Sequence, residues 1–224
     1  MTHVVVVPSD DAGAVARAAE EARRLLRKAE LVVLPTDTVF GLACRPDLRE
    51  ATERVFDAKG RSEDLALPVL AGSARAAFEL GERSALAEAL AERFWPGPLT
   101  LVLLRTDRSR PWPLGRETGS IALRVPAHPV ALAVLERAGP LAVSSANPSG
   151  QPPLGSAEEL TAAFGDRVAL YLVPGEAPRE GGGTASTVVS LLEEKPRILR
   201  LGSIGAAELR RAALERVRSD EWVD

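Results

Sequence analysis

Short apolar runs closed by proline, glycine or paired polar residues alternate along this chain with segments whose apolar residues recur every three to four positions. Strands buried on both faces read as such runs, and helices between them make the crossovers, so the pattern points to an α/β fold around a largely buried, twisted sheet. The expected strands are Val4 to Val7, Leu31 to Leu34, Leu67 to Leu70, Leu99 to Leu104, Ile121 to Val125, Leu141 to Ser144, Val168 to Val173, Val188 to Leu192 and Ile198 to Leu201. A helix is expected where Val15, Ala18, Ala19, Ala22, Leu25, Leu26 and Ala29 follow the capping residues Ser9, Asp10 and Asp11. Another runs from Leu48 to Ala58 with Gly60 as its C′ residue, and further helical patterns cover 84–94, 129–137, 156–164 and 205–217. No repeat, low-complexity stretch or long linker divides the 224 residues, so one domain over 1–217 with a charged tail over 218–224 is expected.

Composition removes several classes of function. One cysteine, Cys44, rules out an internal disulfide framework, and with only two histidines, His3 and His128, no Cys/His zinc cluster can be assembled. No window approaches the apolar length of a membrane span, and the N-terminus lacks the pattern of a signal peptide, so a cytoplasmic protein without membrane contact is expected. With a net charge of −3, the chain has no global field for a phosphate backbone, and nucleic-acid contact would need a local basic patch.

Four segments place polar side chains at the ends of apolar runs, where open α/β sheets build their sites. Pro35-Thr36-Asp37-Thr38-Val39-Phe40-Gly41-Leu42 offers two hydroxyls and a carboxylate, either as a self-bonded Asp/Thr turn or as a polar ligand site. Lys59-Gly60-Arg61 is either a pair of cations favoured by a helix C-terminus or a phosphate clamp, with Lys59 as point charge and Arg61 as planar fork. Ser144-Ser145-Ala146-Asn147-Pro148-Ser149-Gly150 makes a turn after a strand, and its hydroxyls and amide could orient a polar ligand. Gly181 to Val188 is a glycine run delivering hydroxyls, readable as a surface loop or an anion-binding nest. The P-loop and dinucleotide-binding fingerprints are absent, and neither histidine has a catalytic setting, since His3 is terminal and His128 precedes Pro129 at an expected helix start. What remains is a site of hydroxyls, amides and cations, which would act by positioning and charge stabilisation.

The same segments, in this order, resemble the YrdC/Sua5 family of threonylcarbamoyl-AMP synthases, through PTDTVFGL (35–42), KGR (59–61), FWPGPLTLVL (94–103), SIALRVPAHP (120–129), SSANPSG (144–150), STVV (186–189) and ILRLGSI (198–204). The resemblance implies an open, twisted mixed sheet with helices on its faces and a large concave cavity, in the family's short single-domain form. It implies a nucleotidyltransferase that joins L-threonine, bicarbonate or CO2, and ATP into threonylcarbamoyl-AMP and releases pyrophosphate. The product would pass to a tRNA threonylcarbamoyl transferase, for modification of adenosine in tRNAs that read codons beginning with A. By motif, Lys59, Arg61, Ser145 and Asn147 correspond to the family's catalytic tetrad. Thr38, Arg124, Ser145 and Ser186 fall where it holds L-threonine, and Arg61, Ser120, Asn147 and Arg200 where it holds ATP. Mg2+ is expected with the nucleotide rather than on a protein metal site, Asp37 being a weak candidate ligand.

Departures from the family pattern accompany the match. Phe40 stands for a common Tyr, Ser62, Leu65, Ala66 and Leu70 replace Pro, Lys or Asn, Pro and His, and Gly155 replaces a hydroxyl residue. Two alternatives follow from the resemblance: a member binding double-stranded RNA or tRNA without this activity, using Arg105, Arg108, Arg110 and Arg116 as a patch, or a carbamoyl-adenylating relative with another acceptor.

Overall fold

The computed structural model describes residues 3–116, 119–175 and 183–216; Gly181, Gly182 and the tail over 218–224 lie outside these. Strands β1 (Val4–Val7), β2 (Val32–Leu34), β3 (Gly41–Cys44), β4 (Val69–Leu70), β5 (Leu99–Leu104), β6 (Ser120–Arg124), β7 (Leu141–Ser145), β8 (Leu170–Pro174), β9 (Thr187–Ser190) and β10 (Arg197–Arg200) join in one sheet. Its order is β1-β8-β2-β3-β7-β4-β6-β5-β9-β10. Pairings are parallel at β1–β8, β8–β2, β4–β6 and β5–β9 and antiparallel elsewhere, so the sheet is mixed, as expected.

The helices are α1 (Ala12–Leu26), α2 (Arg49–Lys59), α3 (Ala74–Phe78), α4 (Ala85–Phe94), α5 (Pro129–Ala138), α6 (Ala157–Phe164) and α7 (Ala206–Arg216). Their starts are written in the sequence. Asp11 accepts from the Ala14 N–H, Ser84 from that of Ala87, and Ser156 forms a reciprocal box with Glu159. Each such cap stabilises its helix by about 1 kcal/mol. His128 caps α5 ahead of Pro129, and Gly60 ends α2 at φ +59°, a left-handed conformation that glycine adopts without strain. Two elements depart from expectation. The segment Gly41–Cys44 is the central strand β3, and the short helix α3 fills a stretch with no expected element. The run at Leu67 shortens to the two residues of β4.

One face of the sheet carries a continuous core. Val69, Leu99, Leu101, Leu103, Ile121, Leu123 and Val189 meet Val55 and Phe56 of α2, Leu90 of α4, Phe164 of α6 and Leu209 of α7. The opposite face is covered over only part of its width, where Val15, Ala19 and Leu26 of α1 and Val130 and Val134 of α5 pack on Val32, Leu34, Ala43, Val143, Leu170 and Leu172. No residue of β5, β6, β9 or β10 belongs to this second core. Among the described residues, Val102, Ala122 and Val188 are therefore only half-buried and Leu104 is 47% exposed. The result is an open floor beside a wall of two helices. No described helix is long and apolar enough to cross a membrane.

Candidate active site

The strand directions put the candidate residues at both ends of the sheet: the C-terminal ends of β2 and β7 and the N-terminal end of β3 at one, the C-terminal ends of β6 and β10 and the N-terminal ends of β5 and β9 at the other. Contacts of Arg124 with the loop after β2 join the two groups. The β2–β3 connection is the 35–40 loop. Thr36 holds it in shape: its hydroxyl donates to the Val39 carbonyl at 2.6 Å and accepts from the Thr38 N–H at 3.2 Å. The Thr36 hydrogen is thus committed, so the 3.1 Å contact between the Thr36 and Thr38 hydroxyls runs with Thr38 as donor.

Arg124, the last residue of β6, points into this loop. Its Nε donates to the Gly97 carbonyl at 2.9 Å, Nη1 to Thr38 Oγ1 at 2.7 Å and Nη2 to Asp37 Oδ1 at 2.6 Å. Asp37 Oδ1 also accepts from the Ala127 N–H at 2.9 Å. The guanidinium is 7% exposed and its carboxylate partner 15%. Burial lowers the arginine's pKa, against the raising effect of Asp37, with Arg200 adding to the lowering. The group stays charged, and each terminal nitrogen keeps one N–H outside these bonds. Thr38, donating to Thr36 and accepting from Arg124, keeps one lone pair.

A second group surrounds the turn after β7. Lys59, at the end of α2, is buried and donates through Nζ to the carbonyls of Ser145 and Asn147, while its own carbonyl accepts from the Ser149 N–H at 2.9 Å. Burial and the neighbouring Arg61 charge push its pKa down to about 8. Arg61 donates to Ser144 Oγ at 3.1 Å, and burial lowers its pKa too. Asn147 Nδ2 donates to the carbonyls of Pro148 and Gln151, while Oδ1 is buried without a partner among the described residues. Ser145 pairs with Gly41 across β3–β7, and the Ala146 N–H donates to the Phe40 carbonyl at 2.7 Å. The turn and the 35–40 loop are therefore side by side.

The third group comes from the segment before β9. Ser186 Oγ lies 2.8 Å from Thr100 Oγ1 and accepts from Arg200 Nη2 at 3.2 Å. Thr187, fully buried, donates to the Ile204 carbonyl and accepts from the N–H groups of Gly202 and Ile204, fixing the chain beyond Arg200. The Thr187 N–H donates to the Pro98 carbonyl, next to the Gly97 carbonyl that receives Arg124, so this group adjoins the first. The contacts above thus link eight of the nine residues singled out by motif. The ninth, Ser120, begins β6 on the same open face, about 13 Å from Arg124 at the usual strand rise.

Thr100 carries no mark as a site residue in the sequence pattern, although it interrupts the apolar run LTLVLL and a lone hydroxyl in such a run signals a buried polar partner. Asp37 orients Arg124 through Oδ1, which is committed twice, and the described residues contain no cluster of three carboxylate, histidine or cysteine groups able to hold a metal. Of the four arginines considered for RNA, one is buried and two are paired with carboxylates. Arg105 is 1% exposed and donates to the carbonyls of Ser120 and Trp112, Arg108 pairs with Glu79, and Arg110 pairs with Asp107.

Comparison with known proteins adds a family to this geometry. The Sua5/YciO/YrdC sequence profile, described as "Telomere recombination", matches residues 24–202. A Mycobacterium tuberculosis protein is 39% identical over 190 residues, 82% of this chain and 83% of its own. The threonylcarbamoyl-AMP synthase of Bacillus subtilis is 38% identical over 188 residues, 82% of this chain and 53% of its own, so this chain spans about half of that relative. The crystal structure of Pyrococcus abyssi Sua5 complexed with L-threonine superposes with a TM-score of 0.81 at 33% identity, over 94% of this chain and 61% of that one.

Proposed function

The chain belongs to the Sua5/YciO/YrdC family, and from that premise we propose that it is a threonylcarbamoyl-AMP synthase, forming threonylcarbamoyl-AMP and pyrophosphate from L-threonine, bicarbonate or CO2, and ATP. The observation that carries the reading to this site is the Arg124 cluster. A buried fork with one N–H left on each terminal nitrogen stands beside a hydroxyl that retains a lone pair, the complement of an amino-acid carboxylate and ammonium.

In this reading Arg124 takes the carboxylate, and Thr38, Ser145 and Ser186 hold the remaining polar groups of L-threonine. The amine, in its neutral form, adds to CO2 with loss of a proton, or condenses with bicarbonate with loss of water, to give a carbamate. A carbamate oxygen then attacks the α-phosphorus of ATP, the bond to the β-phosphate oxygen breaks, and pyrophosphate leaves with that electron pair. Lys59 and Arg61 offset the charge that builds on the phosphorane, and each such contact is worth roughly 2 to 4 kcal/mol in the transition state. Asn147 and Arg200 hold the triphosphate, and the adenosine half extends along the open floor toward Ser120. The residues present do not fit a protein-held metal, so Mg2+ would arrive on the phosphates and their water. The product would be handed to a tRNA threonylcarbamoyl transferase in the cytoplasm.

Pyrophosphate release is the test. The wild type should release it only when L-threonine, bicarbonate and ATP are all present, and Arg61→Ala should lose about a hundredfold or more in kcat. Release independent of L-threonine, or an Arg61→Ala variant as fast as the wild type, refutes the reading.

A further inference from the structure

Thr100 is the one hydroxyl residue of β5, and it faces the open floor rather than the core. It is nevertheless only 5% exposed, with Ser186 against it at 2.8 Å between hydroxyl oxygens. Ser186 is also gripped by Arg200, whose Nε and Nη2 donate to the Ser186 carbonyl at 3.2 and 2.9 Å and whose Nη2 reaches the hydroxyl.

A hydroxyl has one hydrogen and two lone pairs, and arginine can only donate, so one Ser186 lone pair is filled by Arg200. Two arrangements of the contact with Thr100 remain. If Ser186 donates to Thr100, its hydrogen is turned away from a ligand. If Thr100 donates to Ser186, both Ser186 lone pairs are filled and its hydrogen is left for a ligand acceptor. A charged acceptor in the site favours the second, because the contact with Thr100 is kept by reversing it while a charge-assisted bond is gained.

We propose that Thr100 is a positioning residue that makes Ser186 a hydrogen donor toward an anionic oxygen of the amino-acid substrate. This rests on the functional reading above, in which Ser186 touches L-threonine. Thr38 has the opposite polarity, having given its hydrogen to Thr36 and kept a lone pair. The pocket thus offers donors at Arg124 and Ser186 and an acceptor at Thr38, a pattern that selects a zwitterion over an amine or an uncharged amide.

The test is calorimetric titration of L-threonine and of L-threoninamide into the wild type, Thr100→Val and Thr100→Ser, with steady-state KM values and thermal unfolding in parallel. Thr100→Val keeps the shape and removes the hydroxyl; it should bind L-threonine roughly tenfold more weakly, with a matching rise in the KM for L-threonine. Its KM for ATP and its unfolding temperature should stay at wild-type values, and the preference for L-threonine over the amide should narrow. Thr100→Ser should restore wild-type binding. Unchanged L-threonine affinity in Thr100→Val, failure of Thr100→Ser to restore it, or a loss shared equally by both ligands with a lowered unfolding temperature overturns the proposal. A wild type without L-threonine-dependent pyrophosphate release refutes the functional reading itself, a result distinct from a loss confined to Thr100→Val.

Discussion

Removing Asp37 should destabilise the protein far more than removing Asp37 and Arg124 together. The pair is 2.6 Å apart between Nη2 and Oδ1, with both side chains shielded from water. Opposite charges centred about 4 Å apart interact by roughly 4 kcal/mol at an effective dielectric near 20. In Asp37→Ala the guanidinium keeps only the Thr38 hydroxyl and the Gly97 carbonyl as partners, and stranding a buried charge in this way costs about 3 to 5 kcal/mol. That is a large part of the 5 to 15 kcal/mol typical of a folded domain. Arg124→Met in the same chain removes the stranded charge and fills the space with an apolar stem, so the double variant should recover at least about 2 kcal/mol of the loss. Chemical denaturation at equilibrium, with the slopes compared to confirm a common unfolded state, measures all three free energies. A double variant whose loss equals the sum of the two single losses would show that the pair is not energetically coupled, and the account of Arg124 as a charge held in place by Asp37 would fall.

Lys59 should impose an alkaline limb on activity. Its ammonium is present below its pKa of about 8 and lost above it, so kcat/KM should fall with an apparent pKa near 8, where an ordinary lysine would leave the profile flat past pH 9. Its effect on stability has the opposite sign. Because the folded pKa lies below the unfolded one, the unfolded chain holds the extra proton between about pH 8 and 10.5, so this group's contribution to unfolding free energy rises with pH across that window. Comparing the wild type with Lys59→Met by denaturation at several pH values isolates the term, and a contribution that falls with pH contradicts it. Gly41 must lack a side chain because a Cβ there would meet Val143 Cγ1 at 2.5 Å. Gly41→Ala should cost about 1 to 3 kcal/mol, and Gly41→Ala with Val143→Ala should be more stable than Gly41→Ala alone; equal or lower stability on denaturation refutes that clash.

Pattern alone recovers the fold where an element is either fully buried or strictly amphipathic. The apolar residues of α1 recur on the stripe that packs against α5, and the run of β5 is apolar but for Thr100 and that of β7 apolar up to its two closing serines. It fails at β3, whose four residues contain a glycine and follow a turn-rich loop, so nothing local distinguishes a central strand from the end of a connection. What makes Gly41–Cys44 a strand is non-local: β2 and β7 each offer it an antiparallel ladder. The candidate site shows the same division. Residue types marked Lys59, Arg61 and Asn147 as candidates, but the orientation of Lys59 onto two carbonyls eighty-six and eighty-eight residues away, and the contact of Thr100 with Ser186, depend on which strands become neighbours.

The half-covered sheet explains why these distant contacts fall at one place. Over β8, β2, β3, β7 and β4 both faces are buried and the side chains are nearly all apolar, whereas the edge strand β1 leaves Val4 and Val6 exposed. From β6 to β10 one face has no helix over it among the described residues, and strand positions alternate between core residues such as Leu101, Leu123 and Val189 and open-face residues, polar or small at Thr100, Ala122, Arg124 and Ser190 and apolar at Val102, Leu104 and Val188. A charge at the end of β6 can therefore sit at the edge of the buried half, shielded enough for Asp37 to hold it yet open toward the floor where a ligand would lie. Had a third helix covered that floor, Arg124 would have only its internal partners, and the same fork would be a structural ion pair with no access for a carboxylate.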